Sequence, residues 1–165
     1  MKKMLLLMMG AALMVSCGNS SEKMKELAKE NLELSVDCPK QLKVLAVSEP
    51  DSAFGTGYFS QKEVIGMMQT MKVVTDTIMK RTGNMSRFNP ADHYVVSLAE
   101  RQMRGMADLR ALIAKGGRKG EFSGWKVKLS YQCVDANGIP YSSERWCFID
   151  RKGRQVFKYF ELPMP

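Results

Sequence analysis

The feature that most constrains the fold is a strict alternation of apolar and polar residues towards the end of the chain. Residues 125–132 read Trp-Lys-Val-Lys-Leu-Ser-Tyr-Gln, so every second side chain is apolar. A repeat of two is typical of a β-strand, in which successive side chains point to opposite faces of the sheet. Asn137-Gly138 follows, and this dipeptide is the strongest short-range signal for a hairpin turn. The last part of the chain is therefore predicted to be an antiparallel sheet.

A second turn over residues 150–153, Asp-Arg-Lys-Gly, predicts a third strand, so the three strands form a meander. A two-residue turn centred on the Asn-Gly pair places Val127 opposite Phe148 and Leu129 opposite Trp146. This register brings eight apolar side chains to one face of the sheet: Trp125, Val127, Leu129, Tyr131, Trp146, Phe148, Phe157 and Tyr159. That face is expected to pack on helices.

Two helical segments precede the meander. Ser60 and Glu63 have the spacing of a capping box, in which each side chain binds the backbone amide of the other residue. Apolar side chains then recur at helical spacing over about 61–81. Asn89 followed by proline is a second start signal, and it predicts a helix over about 90–115.

The remaining segments are short. Ser20 or Ser21 is expected to cap a helix over about 22–31, and an apolar run over 42–47 predicts a strand. Residues 51–57 follow a proline and contain two glycines, so they are expected to form a loop. The predicted fold class is α+β, with two long helices packed on a curved antiparallel sheet that has a C-terminal three-stranded meander.

This order of helices and meander resembles the cystatin-like and NTF2-like α+β folds, in which a curved sheet wraps around helices. The resemblance implies a pocket between sheet and helices. Five side chains are the candidates for contact with a ligand or partner there: Met67, Met71, Trp125, Trp146 and Phe157. Core packing is the other interpretation of the methionines. The second face of the sheet carries Cys147 and Ile149, so either the first helix and strand cover it or it forms a groove of its own.

The first segment differs in composition from the rest of the chain. Lys2 and Lys3 are followed by an uncharged, apolar run over 4–15 and by the small Ser16. A helix of that length spans about 18 Å, which is too short for a hydrocarbon core of about 30 Å. A positive start, a short apolar run and a small residue are typical of a secretory signal peptide.

Residues 14–17, Met-Val-Ser-Cys, resemble the lipobox of bacterial lipoproteins, and the chain resembles small lipoproteins of the bacterial cell envelope. The resemblance implies cleavage just before Cys17, lipidation of that cysteine and attachment to a membrane through the lipid. The expected organisation is a cleaved signal peptide over 1–16, a lipidated tether over 17–21 and one α+β domain over 22–165. The alternative is an ordinary secretory signal with an incidental cysteine.

The residues after the cysteine bear on location. Gly18 stands where an aspartate would retain a lipoprotein at the inner membrane, so by resemblance to lipoprotein sorting in Gram-negative bacteria the outer membrane is expected. Residues 18–21 lack the acidic cluster that some of these bacteria use for export to the surface. The domain is therefore expected to face the periplasm.

The chain is basic. It carries 25 lysines and arginines against 17 acidic residues, which gives a formal net charge of +8. The basic residues are scattered, so no nucleic-acid partner is expected. Residues 116–120 form a glycine-rich basic turn that lacks the Gly-Lys-Ser/Thr ending of a phosphate-binding loop. Arg118 and Lys119 in this turn are the candidates for contact with lipid headgroups or lipopolysaccharide phosphates.

No catalytic constellation is recognisable. His93 is the one histidine, and nothing near it resembles a nucleophile motif. The cysteines lack paired C-x-x-C spacing, so no metal or cofactor is expected. The predicted register places Cys133 and Cys147 on opposite faces of the sheet, which disfavours a bond between them. In an oxidising envelope Cys38 can pair with either one. Small buried apolar residues are the other interpretation of these cysteines.

Three functions follow from these observations. The favoured one is a non-catalytic, membrane-anchored envelope lipoprotein that binds an unknown protein partner or assembly. The alternative is a small-molecule or lipid carrier with a pocket between sheet and helices. A hydrolase with paired carboxylates is the third, and it requires two acids in one cleft.

Overall fold

The computed structural model describes residues 20–115 and 120–165. Within these residues the chain has an α+β fold with three α-helices and a five-stranded antiparallel sheet. The predicted signal peptide over 1–16, the predicted lipidation site Cys17 and the predicted anion contacts Arg118 and Lys119 lie outside the described residues.

One long central strand organises the sheet. The helices are α1 (20–35), α2 (Gln61–Arg81) and α3 (His93–Ala114), and the strands are β1 (Lys43–Val47), β2 (Asp51–Phe54), β3 (Phe122–Val134), β4 (Pro140–Ile149) and β5 (Val156–Met164). The strand order is β1-β3-β4-β5, and β2 also pairs with β3. β1 and β2 pair with opposite halves of β3, so they lie end to end along its free edge.

The two long helices begin at local capping signals. The Glu63 amide donates to the Ser60 hydroxyl at 3.3 Å, and the Ser60 amide donates to the Glu63 carboxylate at 2.7 Å. The predicted capping box is therefore confirmed. α3 begins three residues later than predicted, because the carboxylate that caps it belongs to Asp92, which accepts from the Val95 amide. Asn89 caps a turn that precedes the helix.

Two short segments differ from the prediction. Residues 20 and 21, predicted to belong to the tether, are already helical, and α1 continues to residue 35. Residues 51–54 form β2 although they lie in the predicted loop. A four-residue strand between a proline and a glycine has too short a pattern to be recognised, and it is stabilised by its pairing with β3.

The loop of the first hairpin is one residue longer than predicted. The Gly138 amide donates to the Asp135 carbonyl at 3.0 Å, and the Asp135 amide donates to the Ile139 carbonyl at 2.9 Å. The Asp135 carboxylate also accepts from the amides of Asn137 and Ile139. This is a three-residue loop with a glycine in the left-handed region, a common alternative to the two-residue turn.

The longer loop changes which residues share a face. Val127 lies opposite Cys147 and not Phe148, and Lys128 lies opposite Trp146. Because successive side chains point to opposite faces, a shift of one residue moves every side chain of β4 to the other face. The predicted register was therefore wrong, and Trp146 and Phe148 lie on the face opposite Val127.

The second hairpin also differs from the prediction. Trp146 lies opposite Phe160, whereas Phe157 was predicted there. The Asp150 amide donates to the Gln155 carbonyl at 3.0 Å, so the loop is longer than a four-residue turn. Phe157 is the extra residue of β5 at a register shift between Val156 and Lys158, and it is 46% exposed.

Helices cover both faces of the sheet. The buried cluster on the α1 face consists of Met24, Ala28, Leu32, Val36, Val127, Leu129, Tyr131, Cys133, Cys147 and Ile149. The cluster on the α2–α3 face consists of Phe59, Met67, Met71, Leu109, Leu112, Phe148, Phe160 and Leu162. The prediction that eight apolar side chains share one face was wrong, because the register divides them between two faces. Of the two alternatives left open for Cys147 and Ile149, cover by the first helix is the one that the structure shows.

A disulfide connects α1 to the sheet. Cys38, just after α1, is bonded to Cys133 in β3, with the Cα atoms 6.2 Å apart and a sequence separation of 95. Cys147 is a free, buried thiol. It belongs to the same cluster as Cys133, so the predicted placement of these two cysteines on opposite faces was wrong.

Candidate functional site

The five residues predicted to line one pocket are not gathered in one place. Met67 and Met71 are each 3% exposed and pack on the α2–α3 face with Trp146. Trp125 packs against the cluster on the α1 face. Phe157 is half exposed, and its ring centroid lies 6.0 Å from that of Tyr58. The register shift separates the two tryptophans, and a ligand contact at any of these residues stays a prediction.

Lys126 is the buried centre of an ion-pair cluster on the α2–α3 face. Its side chain is 1% exposed, and its Nζ lies 2.6 Å from Glu63 Oε1 and 3.1 Å from Asp51 Oδ2. The carbonyl of Tyr58 accepts from the same ammonium at 3.4 Å. Glu63 therefore has two structural tasks, because it caps α2 and neutralises a buried lysine of β3.

This cluster brings two acids together, which is what the hydrolase hypothesis requires. Burial acts to raise the pKa of the Glu63 carboxyl, but the hydrogen bonds from Lys126 and Ser60 outweigh it, and the pKa lies below its usual value. A general acid in glycoside hydrolysis needs a raised pKa. Asp51 and Glu63 share one ammonium, so their geometry suits a structural ion pair better than acid catalysis.

Glu63→Gln is expected to lower the free energy of unfolding by about 2 kcal/mol at pH 7, because Lys126 keeps only the exposed Asp51 as a partner. A glutamine can still accept the capping hydrogen bond, so the variant isolates the charge. The folded-state pKa of Glu63 is lowered, so its stabilisation is present above about pH 4 and is lost as the pH falls through the folded pKa. Urea titrations at pH 7 and pH 3 measure the difference.

Glu26→Gln is the matched control. Glu26 forms an exposed pair with Lys29 one helical turn away, and such pairs contribute less than about 0.5 kcal/mol. A loss for Glu63→Gln that is no greater than the control, or that stays constant with pH, would show that the pair does not stabilise the fold.

A cleft of about 390 Å³ lies at the end of the sheet that holds the β3–β4 hairpin. Its walls come from the start of β1, the first half of α3, both strands of the hairpin and the end of β5. We call it the Arg101 cleft and define it by six of its lining residues: Lys43, Leu98, Arg101, Gln132, Ile139 and Tyr141. Its volume lies in the range of about 300–1,000 Å³ that is usual for ligand pockets.

Arg101 is held in place from two sides. Its guanidinium carbon lies 3.4 Å from the ring centroid of Tyr141, which is a close cation–π contact. Its Nε donates to the Ser97 hydroxyl at 3.3 Å, and that hydroxyl donates to the Asp135 carboxylate at 3.5 Å. The Tyr141 hydroxyl in turn lies 3.5 Å from Cys38 Sγ, so the disulfide fixes the ring on which Arg101 rests.

The two terminal nitrogens of Arg101 have no hydrogen-bond or ion-pair partner within 20–115 and 120–165. Lys43, the other base that lines the cleft, is exposed and likewise forms no ion pair with a described residue. No aspartate or glutamate is among the lining residues. Pro165 also borders the cleft. The cleft therefore offers unneutralised positive charge beside apolar walls.

A smaller cleft of about 250 Å³ adjoins the first and shares Arg101 and Tyr141 with it. Its floor is Arg145, which is 2% exposed and lies 2.6 Å from Glu161 Oε1. The same carboxylate oxygen accepts from the Tyr131 hydroxyl at 2.6 Å, and Arg145 also donates to Ser35 of α1. Acids and bases line this cleft in equal number, and its buried arginine is already paired.

Burial and the neighbouring Glu161 carboxylate raise the pKa of Tyr131, so this phenol stays protonated. Burial acts to lower the pKa of Arg145, but the same carboxylate outweighs it and raises that pKa above its usual value. Both groups therefore keep one charge state across the physiological range. The Arg145 cluster joins α1, β3, β4 and β5, which makes it a structural element of the α1 face.

His93 and Cys147, two other side chains with possible reactivity, do not line the Arg101 cleft. His93 is the first residue of α3 and is exposed. Burial raises the pKa of the Cys147 thiol to about 12, so it stays protonated and unreactive. Within the described part of the chain, no three His, Cys, Asp or Glu side chains come together as a metal site requires.

Sequence patterns alone did not single out the Arg101 cleft. In sequence, Arg101 is one of several basic residues of α3, and such a series is typical of a solvated helix face. Its partner Tyr141 is 40 residues away in sequence, and only the tertiary fold brings them together. The burial of Arg145 could have been predicted. It is two residues before Cys147 and four before Ile149 in β4, and alternate residues of a strand share one face of the sheet.

No protein-family model, curated protein or solved structure is significantly similar to this chain. Among the described residues, no helix combines the length and the apolar character needed to cross a bilayer.

Proposed function

We propose that this protein is a membrane-anchored, non-catalytic binding module of the bacterial cell envelope. The observation that carries the proposal is the lipobox-like sequence over 14–17, which directly follows a charged start and an apolar run of signal-peptide length. Cys17 would carry the lipid, and the domain from α1 onwards would be held at the membrane. Gly18 favours the outer membrane, with the domain facing the periplasm.

The disulfide supports an extracytoplasmic location independently. Structural disulfides form and persist in oxidising compartments such as the periplasm and are rare in the cytosol. The bond between Cys38 and Cys133 links α1 to the central strand across 95 residues of sequence. A link of this kind suits a domain that folds after export.

The Arg101 cleft supports a binding role rather than a catalytic one. It combines unpaired positive charge, an aromatic ring and apolar walls, and its described lining residues include no Asp, Glu or His to act as a general base. The carrier alternative also draws support from this cleft, since its volume is that of a small-molecule pocket. The carrier pocket would then lie at the end of the sheet and not between the sheet and the two long helices.

The anchor is tested on the full chain, expressed with its own leader in a Gram-negative host. We expect the mature protein to begin at Cys17 and to carry a diacylglyceryl group and an amide-linked acyl chain, as seen by intact and peptide mass spectrometry. Cys17→Ala is expected to abolish both the lipid and the cleavage before residue 17. Density separation of the two membranes, followed by protease treatment of intact cells, reports the location and the facing side.

Ser16→Ala is the matched control, because it changes the neighbouring residue but keeps it small, and it should be processed like the wild type. A mature chain that starts elsewhere without lipid would overturn the anchor and leave a secreted domain.

A further inference from the structure

We propose that the Arg101 cleft binds a small organic carboxylate, with the guanidinium of Arg101 as the anchor for the carboxylate and the apolar walls around the body of the ligand. This inference rests on the proposed function as a binding module and names the class of ligand. It does not depend on whether Cys17 is lipidated.

The charge of the cleft selects an anion. Arg101 and Lys43 are the bases among its lining residues, neither forms an ion pair with a described residue, and no acidic side chain lines it. Asp135 lies behind Ser97 and not among the lining residues, and its carboxylate accepts from two amides of the hairpin loop as well as from Ser97. The positive potential of the cleft is therefore left for a ligand.

The geometry of Arg101 selects a planar anion. One face of the guanidinium rests on the Tyr141 ring, and Nε is turned to Ser97. The edge formed by the two terminal nitrogens is the part that remains unpaired. Two parallel N–H donors on this edge match the two oxygens of a carboxylate in a bidentate contact.

The walls of the cleft select a ligand with an apolar body. Leu98 of α3, Val134 and Ile139 of the hairpin and Met164 of β5 border the cleft. Gln132 donates to Ser142 at 3.4 Å on the same wall, so the second donor of its amide group is available to a ligand oxygen. A simple inorganic anion would leave the apolar surface unused, whereas an aromatic or aliphatic acid would cover it.

The test uses the full-length gene product, purified in a neutral detergent whether or not it carries lipid, with protein-free micelles as the blank. The probes are 4-phenylbutyrate and its uncharged amide, 4-phenylbutanamide, titrated by calorimetry and by ligand-observed NMR. We expect saturable binding of the acid and at least about tenfold weaker binding of the amide, as loss of a charged hydrogen-bond pair requires.

Arg101→Gln is expected to weaken binding of the acid about tenfold or more while leaving the weak binding of the amide unchanged. Arg110→Gln is the matched control, because Arg110 is an exposed arginine of the same helix that does not line the cleft. Lys43→Gln, at an exposed position, is expected to lower the affinity for the acid by a smaller factor of about 2–5. This variant keeps the proposal testable should the loss of Arg101 disturb folding, which thermal unfolding of all variants will show.

The proposal would be overturned if the acid and the amide bound equally well, or if no saturable binding were seen up to about 10 mM acid. It would also be overturned if both Arg101→Gln and Lys43→Gln bound the acid as tightly as the wild type. Competition by inorganic phosphate with equal affinity would also overturn it, because the cleft would then recognise charge alone. A lipidated protein that fails this test keeps its anchor, and an unlipidated protein that passes it keeps its carboxylate site, so the two failures are distinct.

Discussion

Removal of the disulfide between Cys38 and Cys133 is expected to lower the free energy of unfolding by about 4 kcal/mol. In the chain-entropy model, a bond at a sequence separation of 95 removes conformational entropy worth about 4.7 kcal/mol from the unfolded chain, and measured losses commonly fall below this value. The bond also fixes the start of the segment between α1 and β1, together with the Tyr141 ring beside it. Urea unfolding of the wild type and of a Cys38→Ala/Cys133→Ala variant measures the loss.

Cys147→Ala is the matched control for this variant. Cys147 is as deeply buried as Cys133 and lies in the same cluster, but it is not bonded. Its replacement removes only packing and is expected to cost about 1 kcal/mol. Wild type unfolded with a reductant should match the double variant. An unfolding midpoint that does not respond to the reductant would contradict the stabilising role of the bond.

Gly124→Ala is expected to cost about 3 kcal/mol or more. A Cβ atom at this position of β3 would lie 2.2 Å from the carbonyl oxygen of Ile149 in β4. That oxygen belongs to the backbone, so the two strands themselves would have to separate. Gly124 also has a φ of +145°, which other residues rarely adopt. Denaturant titration at constant pH measures the change.

Gly138→Ala separates the steric contact with β4 from the strain of a positive φ. Gly138 has a φ of +77° in the first hairpin, but a Cβ atom there would meet nothing within 4 Å. Only the backbone strain remains, and the expected cost is about 1 kcal/mol. A cost for Gly124→Ala no larger than that of Gly138→Ala would mean that the contact with β4 is not tight.

Local signals were enough to predict the long helices. The bounds of α2 follow from the Ser60–Glu63 capping box and the spacing of its apolar residues, and the structure has the helix where the sequence places it. The register of β3 and β4 could not be read in the same way. The Asn-Gly pair correctly marks the turn, but the backbone and side-chain bonds of Asp135 add one residue to the loop. One residue is enough to exchange the faces of β4.

The candidate site was beyond sequence reasoning for a related reason. The contact between Arg101 and Tyr141 joins α3 to β4, and the disulfide that supports it joins the end of α1 to β3. Periodicity reports only which side of its own element a residue occupies. It carries no information about which strand end a given side of α3 meets.

The position of α1 sets how far the cleft would stand from a membrane. The first described residue of α1 is three residues beyond Cys17, and three residues extend at most about 10 Å. Ser21 at the start of α1 donates to Glu49, whereas Ser35 at its end lines the smaller cleft, which adjoins the Arg101 cleft. A helix of this length spans about 24 Å. With Cys17 as the lipid anchor, the start of α1 would lie close to the membrane, and the clefts near its other end would lie about one helix length further away. The Arg101 cleft would then sample solutes of the aqueous compartment, and acyl chains in the bilayer would lie out of reach.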